Sequence, residues 1–404
     1  MKNKSFAISK VTLDNGFTLL ICPLHTIPKV AVQIWYGVGS KNEKVGQKGI
    51  AHFIEHMIFK GTEKLAEPDI GLVASRLSGS CNAFTSQDYT GYLFDFPTQH
   101  WQEALPILSD CMRNCTFKQE LFDSELKAVI QELKMYKDDY EDTLTEQMMT
   151  AIFAGHPYHH PIIGYKRDLW NLRRDALLSF YNKHYVPNNA TLVVVGNIDI
   201  ASVIKDVGRE FGGLSKSEDY SPQQFYPPAD TVSKAVSIYR DVQQPLIQFS
   251  FFIPGLSEGS RHLADCVAWL LCNGRDSRLH KKLVDELQIA IDVEAFVEDL
   301  FDRGLFFIKI RPAGSGVLEQ IEQEVCQEIA LMQQGDFHPI ELQRAKKKAQ
   351  VDFLSLSEDY EELAYEIGKN FLATGAPDSF SVYLNDLEDK RLGKQLKDFV
   401  AAFF

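Results

Sequence analysis

A chain of 404 residues is long enough for two domains, each with its own hydrophobic core. Its hydrophobic fraction of 45 % and charged fraction of 24 % are those of an ordinary globular protein. The formal net charge of −13 argues against nucleic-acid binding, because nucleic acids require a basic protein surface. An acidic surface would attract basic peptides, although a dispersed charge that keeps the protein in solution explains the same value more simply.

Three features bear on where the chain resides. No run of about eighteen apolar residues is present, so we expect no membrane span. Residues 1–10 lack the apolar core of a signal peptide and the arginines of a transit peptide. The seven cysteines are odd in number, scattered and without a C-x-x-C pair, so we expect free thiols. These features favour a cytoplasmic location.

In chain order, the first half predicts a sheet with helices packed on it. Short strands at 11–13 and 17–20 flank Asp14-Asn15-Gly16, a strong signal for a tight hairpin. The continuous apolar run over 190–197 predicts a fully buried strand. Further strands are expected at 30–36, 80–85 and 90–96, with helices from Gly49 and over 69–77, 100–114 and 118–135.

Residues 215–231 are expected to form a linker, because the stretch is polar, contains prolines and has no hydrophobic period. The linker separates a first domain over 1–214 from a second over 232–404. In the second domain we expect strands at 236–240, 245–252, 289–297 and 304–310, and helices at 261–271, 276–286, from 317 and at 339–356. The repeated element order predicts an α+β fold of two similar domains, each a mostly antiparallel sheet with helices packed on it.

The segment His52-Phe53-Ile54-Glu55-His56 lies in the helix that is predicted to begin near Gly49. On a helix, His52 and His56 lie about 40° apart and one turn along the axis, so their ring nitrogens can share one Zn²⁺. Glu55 projects about 60° from His52, close enough to reach a water in the open position of the metal. This H-x-x-E-H order is the inverse of the commoner zinc-peptidase motif H-E-x-x-H. The alternative is an amphipathic helix with two exposed histidines.

A catalytic zinc usually takes three protein ligands and a water, so a third ligand is needed. Residues 118–135 carry apolar side chains at helical spacing, and Glu125 and Glu132 fall on one face, two turns apart. One of these carboxylates could bind the metal while the other supports a ligand from behind. The alternative is a surface helix with two ordinary carboxylates.

Several segments together resemble the pitrilysin/insulinase family of zinc peptidases, which includes the mitochondrial processing peptidase. Residues 52–62, HFIEHMIFKGT, match the family's metal helix nearly letter for letter, and residues 78–90, SGSCNAFTSQDYT, resemble its active-site strand. Glu132 follows His56 by 76 positions (132 − 56), within the range that the family uses for its glutamate ligand. His156-Pro157-Tyr158 matches the loop that lies beyond it.

The resemblance implies a zinc-dependent endopeptidase that hydrolyses unstructured peptides. Zn²⁺ would be held by His52, His56 and Glu132. Glu55 would be the catalytic base. Glu125 would be a second catalytic residue, and orienting a ligand histidine is the role that we expect for it.

The resemblance also places the peptide substrate along Asn82, Ala83 and Phe84, where it would add to the sheet as a further strand. Backbone pairing of this kind selects an extended chain rather than a sequence, so it suits unfolded peptides. The later pair His159-His160 is expected to lie in a solvated loop, because adjacent side chains point apart and cannot readily share one zinc.

The second half departs from the self-sufficient family members at two positions. Those members carry an arginine and a tyrosine that contact the substrate carbonyl near the zinc. The frame over 274–279 is recognisable, and extending it without gaps places Val284 and Ile291 at those positions. Loss of one donor to a developing oxyanion costs on the order of a hundredfold in rate. We therefore expect a partner that supplies the missing pair: a second family subunit, a second copy of this chain, or the rest of a longer fused chain.

Two interpretations that place the chain in functional classes other than peptidases stay open. A non-catalytic scaffold subunit would resemble the core proteins of mitochondrial respiratory complex III, which keep the fold and lose the zinc site. The intact set of His52, Glu55, His56 and Glu132 argues against that reading. A peptide-binding module with a structural zinc would need a fourth protein ligand, and no cysteine or histidine lies near these residues at motif spacing.

Overall fold

The computed structural model describes residues 6–226 and 235–404. In the first half, six strands form one sheet in the order β1-β2-β6-β3-β5-β4, and each neighbouring pair is antiparallel except β2 with β6. The strands are β1 Ser9–Thr12, β2 Thr18–Pro23, β3 Lys29–Tyr36, β4 Ser80–Thr85, β5 Thr90–Pro97 and β6 Ala190–Gly196. The helices are α1 Ile50–Ile58, α2 Glu67–Arg76, α3 Ala104–Asn114, α4 Gln119–Asp138, α5 Tyr140–Ile152, α6 Lys166–Asn171, α7 Arg174–His184 and α8 Ile200–Phe211.

The second half contains a three-stranded antiparallel sheet in the order β7-β9-β8. Its strands are β7 Ile247–Ile253, β8 Ala290–Glu298 and β9 Gly304–Pro312. Its helices are α9 Arg261–Leu271, α10 Leu318–Gln334, α11 Pro339–Ser355, α12 Tyr360–Thr374, α13 Ser379–Leu387 and α14 Leu392–Phe403. The predicted α+β fold of two domains is confirmed. Within the described ranges, no helix is both long and apolar enough to cross a membrane.

Strand β6 is buried over its whole length because both faces of the first sheet are covered. Leu192 and Val194 lie in the core formed with the helices of the first half. Val193 and Val195 point to the opposite face and lie in a separate apolar cluster. The burial of both faces explains the uninterrupted apolar sequence, and the predicted buried strand is confirmed.

Helix α12 covers that second face, although it comes from the second half of the chain. Leu363 and Ile367 lie in the same apolar cluster as Val193. Gly368 allows the close approach of the helix, since a Cβ at this position would lie 2.4 Å from the indole ring of Trp35. The first core is therefore completed by a helix that lies beyond the linker predicted at 215–231, and that domain boundary stays a prediction.

The predicted strand at 236–240 is wrong. Residues 235–246 form no strand, and Tyr239 is 94 % exposed. The alternation of Val236 and Ile238 imitates a strand pattern, but no strand of the described chain pairs with this segment. Residues 227–234, which include the end of the predicted linker, lie outside the described residues.

The helix predicted over 276–286 is present as the π-helix His280–Glu286. A π-helix has a larger radius than an α-helix because its hydrogen bonds span five residues. The Leu287 N–H donates to the Lys282 carbonyl, five residues back, at 3.0 Å. The helix ends before Gln288, whose φ is +53°.

A buried ionic network joins the two halves. Lys41 Nζ lies 2.5 Å from Asp88 Oδ1 and 3.2 Å from Asp302 Oδ2. Asp88 also accepts hydrogen bonds from the Tyr158 hydroxyl at 2.6 Å and from the Phe301 N–H at 3.0 Å. Burial raises the pKa of Asp88, and the Lys41 ammonium opposes that rise. Because Asp88 follows β4 and Asp302 precedes β9, the network ties one sheet to the other.

Replacing Asp88 with asparagine would leave the Lys41 ammonium with one buried carboxylate instead of two. Removal of one partner from a buried ion pair typically costs about 3–5 kcal/mol, and the remaining Asp302 reduces that cost. We expect Asp88→Asn to lower the free energy of unfolding by about 2–3 kcal/mol in urea denaturation. Asp219→Asn, at an exposed carboxylate, is the matched control. Equal stability of the two variants would show that the network does not hold the halves together.

Candidate active site

Helix α1 divides its side chains between the core and a cavity. Ile50, Phe53 and Met57 lie in the core of the first half. His52 and Glu55, on the other side of the helix, line a cavity of about 420 Å³. The His52 side chain is 11 % exposed, so the alternative of two solvent-exposed histidines does not hold.

A buried carboxylate fixes the start of α1. Glu43 Oε2 accepts the Gly49 N–H, and Glu43 Oε1 accepts the Ala51 N–H, both at 2.8 Å. The first N–H groups of a helix have no partner within the helix, so Glu43 caps two of them at once. Burial raises the pKa of Glu43, and the nearby His160 opposes that rise. Glu43 could not be predicted from the sequence, because it lies outside the helix and belongs to no motif.

His160 lies beside Glu43 and not in solvent. Its Nε2 is 3.2 Å from Glu43 Oε2 and 3.0 Å from the Ser40 carbonyl, and the residue is 2 % exposed. The predicted solvated position is therefore wrong for His160. A buried carboxylate needs hydrogen-bond donors, and the His160 ring supplies one of them.

His52, His56 and Glu132 come together where α1 meets α4. His52 Nε2 lies 3.7 Å from Glu132 Oε1, and His56 Nε2 lies 3.4 Å from Glu132 Oε2. One ligand atom from each residue lies within 4.8 Å of the other two. A tetrahedral zinc with bonds of about 2.1 Å separates its ligand atoms by about 3.4 Å, so the spacing fits zinc.

The donor set also has the chemistry of a zinc site, with two imidazole nitrogens and one carboxylate. Glu132 Oε2 is buried without a well-formed hydrogen bond, so this oxygen is not satisfied by the protein. Burial and the neighbouring His56 lower the pKa of His52 to about 4, which keeps its ring neutral and able to bind a metal. The carboxylates of Glu125 and Glu132 raise the pKa of His56 to about 9, so a metal bound there would displace a proton.

Glu125 contacts the far side of His56. Its Oε1 lies 2.9 Å from His56 Nδ1, and its Oε2 lies 2.8 Å from Lys60 Nζ. The bond at Nδ1 leaves Nε2 of the same ring to face Glu132. Hydrogen bonding to His56, assisted by Lys60, lowers the pKa of Glu125. The spacing of Glu125 and Glu132 on α4 thus places the Glu132 carboxylate near Nε2 of both rings and the Glu125 carboxylate at Nδ1 of His56.

Glu55 is held by the last residue of β4. Its Oε2 accepts a hydrogen bond from the Thr85 hydroxyl at 2.6 Å. Burial raises the pKa of Glu55, and the Thr85 bond opposes that rise. A raised pKa suits a group that must accept a proton near neutral pH. Thr85 lies in a predicted strand, but this contact could not be predicted, because strand periodicity does not indicate which helix the end of a strand meets.

Strand β4 lies at the edge of the first sheet, and β5 is its one partner among the described strands. Ala83 and Phe84 line the same cavity as His52 and Glu55. Asn82 is exposed, and its Oδ1 accepts the Ala83 N–H at 2.9 Å. The structure therefore brings Ala83 and Phe84 to the candidate site and places Asn82 outside the cavity wall.

Val284 and Ile291 do not line this cavity. Val284 packs against the core of the second half. Ile291 is 51 % exposed and lies at a shift of register in β8. Neither side chain can donate a hydrogen bond to a substrate carbonyl.

Two family models match the chain one after the other. The model described as insulinase, peptidase family M16, matches residues 21–166, and the model described as the peptidase M16 inactive domain matches residues 171–349. The chain therefore belongs to the peptidase M16 family, and the predicted resemblance to pitrilysin and insulinase is confirmed. All the candidate metal, catalytic and substrate residues lie within the first match.

Similar proteins carry the name zinc protease. One from Rickettsia bellii is 28 % identical over 379 residues, which is 92 % of this chain and 89 % of that protein. The zinc protease YmxG of Bacillus subtilis is 27 % identical over 385 residues, which is 94 % of this chain and 92 % of that protein. These names support a metallopeptidase role for the chain.

Solved structures show the same fold. The crystal structure of a protease from Helicobacter pylori has a TM-score of 0.90 at 23 % identity and covers 99 % of this chain and 97 % of that chain. Pitrilysin has a TM-score of 0.75 at 17 % identity, and the match covers 99 % of this chain but 44 % of the pitrilysin chain.

Glu43→Gln would replace one acceptor oxygen with an NH₂ group beside the N–H groups that start α1. Loss of a buried hydrogen bond to a charged group typically costs about 1.5–3 kcal/mol. We expect this variant to lower the free energy of unfolding by about 2 kcal/mol, measured in urea. The matched control is Glu103→Gln, because Glu103 stands at the start of α3 without a capping hydrogen bond. A Glu43→Gln protein as stable as this control would contradict the capping role.

Proposed function

We propose that this chain is a zinc-dependent endopeptidase that hydrolyses unstructured peptides by means of a metal-activated water. One observation carries the proposal: the Nε2 atoms of His52 and His56 converge on the carboxylate of Glu132. Glu55 lines the same cavity. Three protein ligands leave a fourth position open, which is the arrangement of a catalytic zinc and not of a structural one. Membership of the M16 family supports this function.

Zinc held by these residues would bring the pKa of a bound water toward neutrality and take part of the oxyanion charge. Glu55 would accept the proton of the attacking water and return it to the leaving amine. The Thr85 hydroxyl binds one oxygen of Glu55, so the carboxyl keeps a single orientation during both transfers.

Glu125 acts in this proposal as a positioning residue. Its bond to His56 Nδ1 fixes the tautomer and the direction of the ring, and Lys60 holds the carboxylate in place. Helix α4 thus carries both Glu132, a proposed metal ligand, and Glu125, which lies two turns earlier and orients His56.

One edge of β4 pairs with no described strand, and this edge supports an extended peptide as substrate. A peptide that pairs with this edge would pass along Ala83 and Phe84 into the cavity that His52 and Glu55 line. The Ala83 N–H would exchange its bond to Asn82 for a bond to the peptide. Since backbone pairing requires an extended chain, folded proteins would be poor substrates.

A partner chain completes the site in this proposal. Val284 and Ile291 cannot supply the two donors that self-sufficient members of the family carry, and neither lines the cavity. The match covers 44 % of the pitrilysin chain, so that protein is long enough to contain a second unit of similar size. The second unit would here be a separate family subunit or a second copy of this chain.

All seven cysteines are free, which agrees with the proposed cytoplasmic location.

The first test is hydrolysis of a mixed pool of unstructured peptides by the purified chain, with the zinc content measured on the same sample. We expect about one zinc per chain and slow turnover. Glu55→Gln should keep the zinc and lose turnover by about 10²- to 10⁴-fold, because the base is gone. Glu63→Gln, at an exposed carboxylate, is the control. Turnover by the Glu55→Gln protein at the wild-type rate would contradict the proposed mechanism.

The same assay separates the two parts of the proposal. Turnover by a monomeric wild-type chain at the rate of a complete peptidase would support the catalytic role and contradict the need for a partner.

A second test concerns Glu125. We expect Glu125→Ala to weaken zinc binding by about 10- to 100-fold in competition with a chelator, because His56 loses the group that orients it. Glu125→Gln, which keeps an acceptor for His56 Nδ1, should recover part of the affinity. Glu120→Gln on the same helix is the exposed control. Unchanged zinc affinity in Glu125→Ala would mean that this carboxylate does not position the ligand.

A further inference from the structure

A second cavity, of about 400 Å³, lies in the second half of the chain between α9, α11, α12 and α13. None of its lining residues belongs to the candidate zinc site. Among the described residues that line it, Arg261 is the only lysine or arginine. The carboxylates in the lining are those of Asp265, Asp299, Asp352, Glu362, Glu366 and Asp386.

The inner carboxylates belong to a closed ionic network. Arg261 Nε lies 2.8 Å from Asp265 Oδ1, and the same guanidinium pairs with Asp299. Lys369 Nζ lies 3.0 Å from Asp299 Oδ2 and 2.6 Å from Glu366 Oε1. Two cations thus pair with three carboxylates, so this network alone has an excess of negative charge.

The outer carboxylates of Asp352, Glu362 and Asp386 form no ion pair with a lysine or arginine in the described part of the chain. Asp352 Oδ2 accepts a hydrogen bond from Trp269 Nε1 at 2.8 Å, which does not neutralise its charge. Asp386 Oδ2 lies 3.8 Å from His262 Nδ1. With these three carboxylates, the described wall of the cavity carries a net negative charge.

His262 gives an independent indication of a ligand. It lines the cavity, is 7 % exposed, and its Nε2 is buried without a hydrogen-bond partner. Buried polar atoms are nearly always paired, so an unpaired ring nitrogen in a cavity wall indicates a group that binds there. Burial lowers the pKa of His262, so its ring is neutral and can accept a hydrogen bond.

The rest of the wall is largely apolar, with Leu256, Phe353, Leu356 and Val382 in the lining. A cavity wall of apolar side chains beside carboxylates is complementary to a ligand that has an alkyl chain and a cationic end.

We propose that this cavity binds an aliphatic cation: a primary ammonium or a guanidinium on a short alkyl chain. The alkyl chain lies against Phe353 and Val382, and the N–H groups bind the carboxylates of Glu362 and Asp386 and the unpaired Nε2 of His262. The cation comes either from a free amine or from a lysine or arginine side chain of a bound peptide. The site does not depend on the zinc-peptidase function.

Titration calorimetry on the full chain tests the proposal with agmatine and with a short peptide that contains one arginine. The control ligand is the same peptide with citrulline, which has nearly the same shape and no charge. We expect a cationic probe to bind at least tenfold more tightly than the citrulline peptide, and binding to weaken as salt is added. Binding of agmatine alone would identify a free-amine site, and binding of the arginine peptide alone a peptide subsite.

The double variant Glu362→Gln, Asp386→Asn should weaken that binding about tenfold, because both charged acceptors are removed. Both side chains lie at least partly in solvent, so the fold should survive, and circular dichroism checks this. Glu358→Gln, an exposed carboxylate outside the cavity lining, should bind as the wild type does. Absence of binding by either cationic probe, or unchanged binding by the double variant, would overturn the proposal.

Discussion

The candidate site depends on how helix α1 is anchored at its first turn. The Glu43 carboxylate accepts two backbone N–H groups there, and His160 binds the same carboxylate. This anchor sets the depth and rotation of the helix, and therefore where the rings of His52 and His56 meet α4. Metal ligands must be placed within a few tenths of an ångström, so a rigid helix start is a requirement of the site and not a detail of the fold.

Strand β4 is held from two directions, which connects the site with the second half of the chain. Thr85 at its end binds Glu55, and Asp88 in the following turn binds Lys41, which also binds Asp302. On the opposite face of the sheet, α12 completes the core. The second half thus supports the strand edge that the proposed substrate would use, although none of its described residues lines the cavity.

Local periodicity explains what could be predicted from the sequence. His52, Glu55 and His56 share one helix, and Glu125 and Glu132 share another, so a constant rotation per residue arranges each group without knowledge of the fold. The pairing of these two helices came from the family resemblance, since no local pattern specifies it.

Contacts between distant segments could not be predicted, because they leave no periodic signal. Glu43 and His160 are 117 positions apart and meet only in the folded chain. The amphipathic pattern of α12 does not say which sheet the helix will cover. The apolar alternation at 236–240 failed for a related reason: a strand requires a neighbour, and none pairs with this segment among the described residues.

The proposed function requires one zinc ion between α1 and α4. Anomalous diffraction at the zinc absorption edge tests it most directly, on crystals of protein purified without added chelator. We expect one peak about 2.0–2.2 Å from His52 Nε2, His56 Nε2 and a carboxylate oxygen of Glu132. A peak at other residues, or no peak at all in zinc-supplemented crystals, would contradict it.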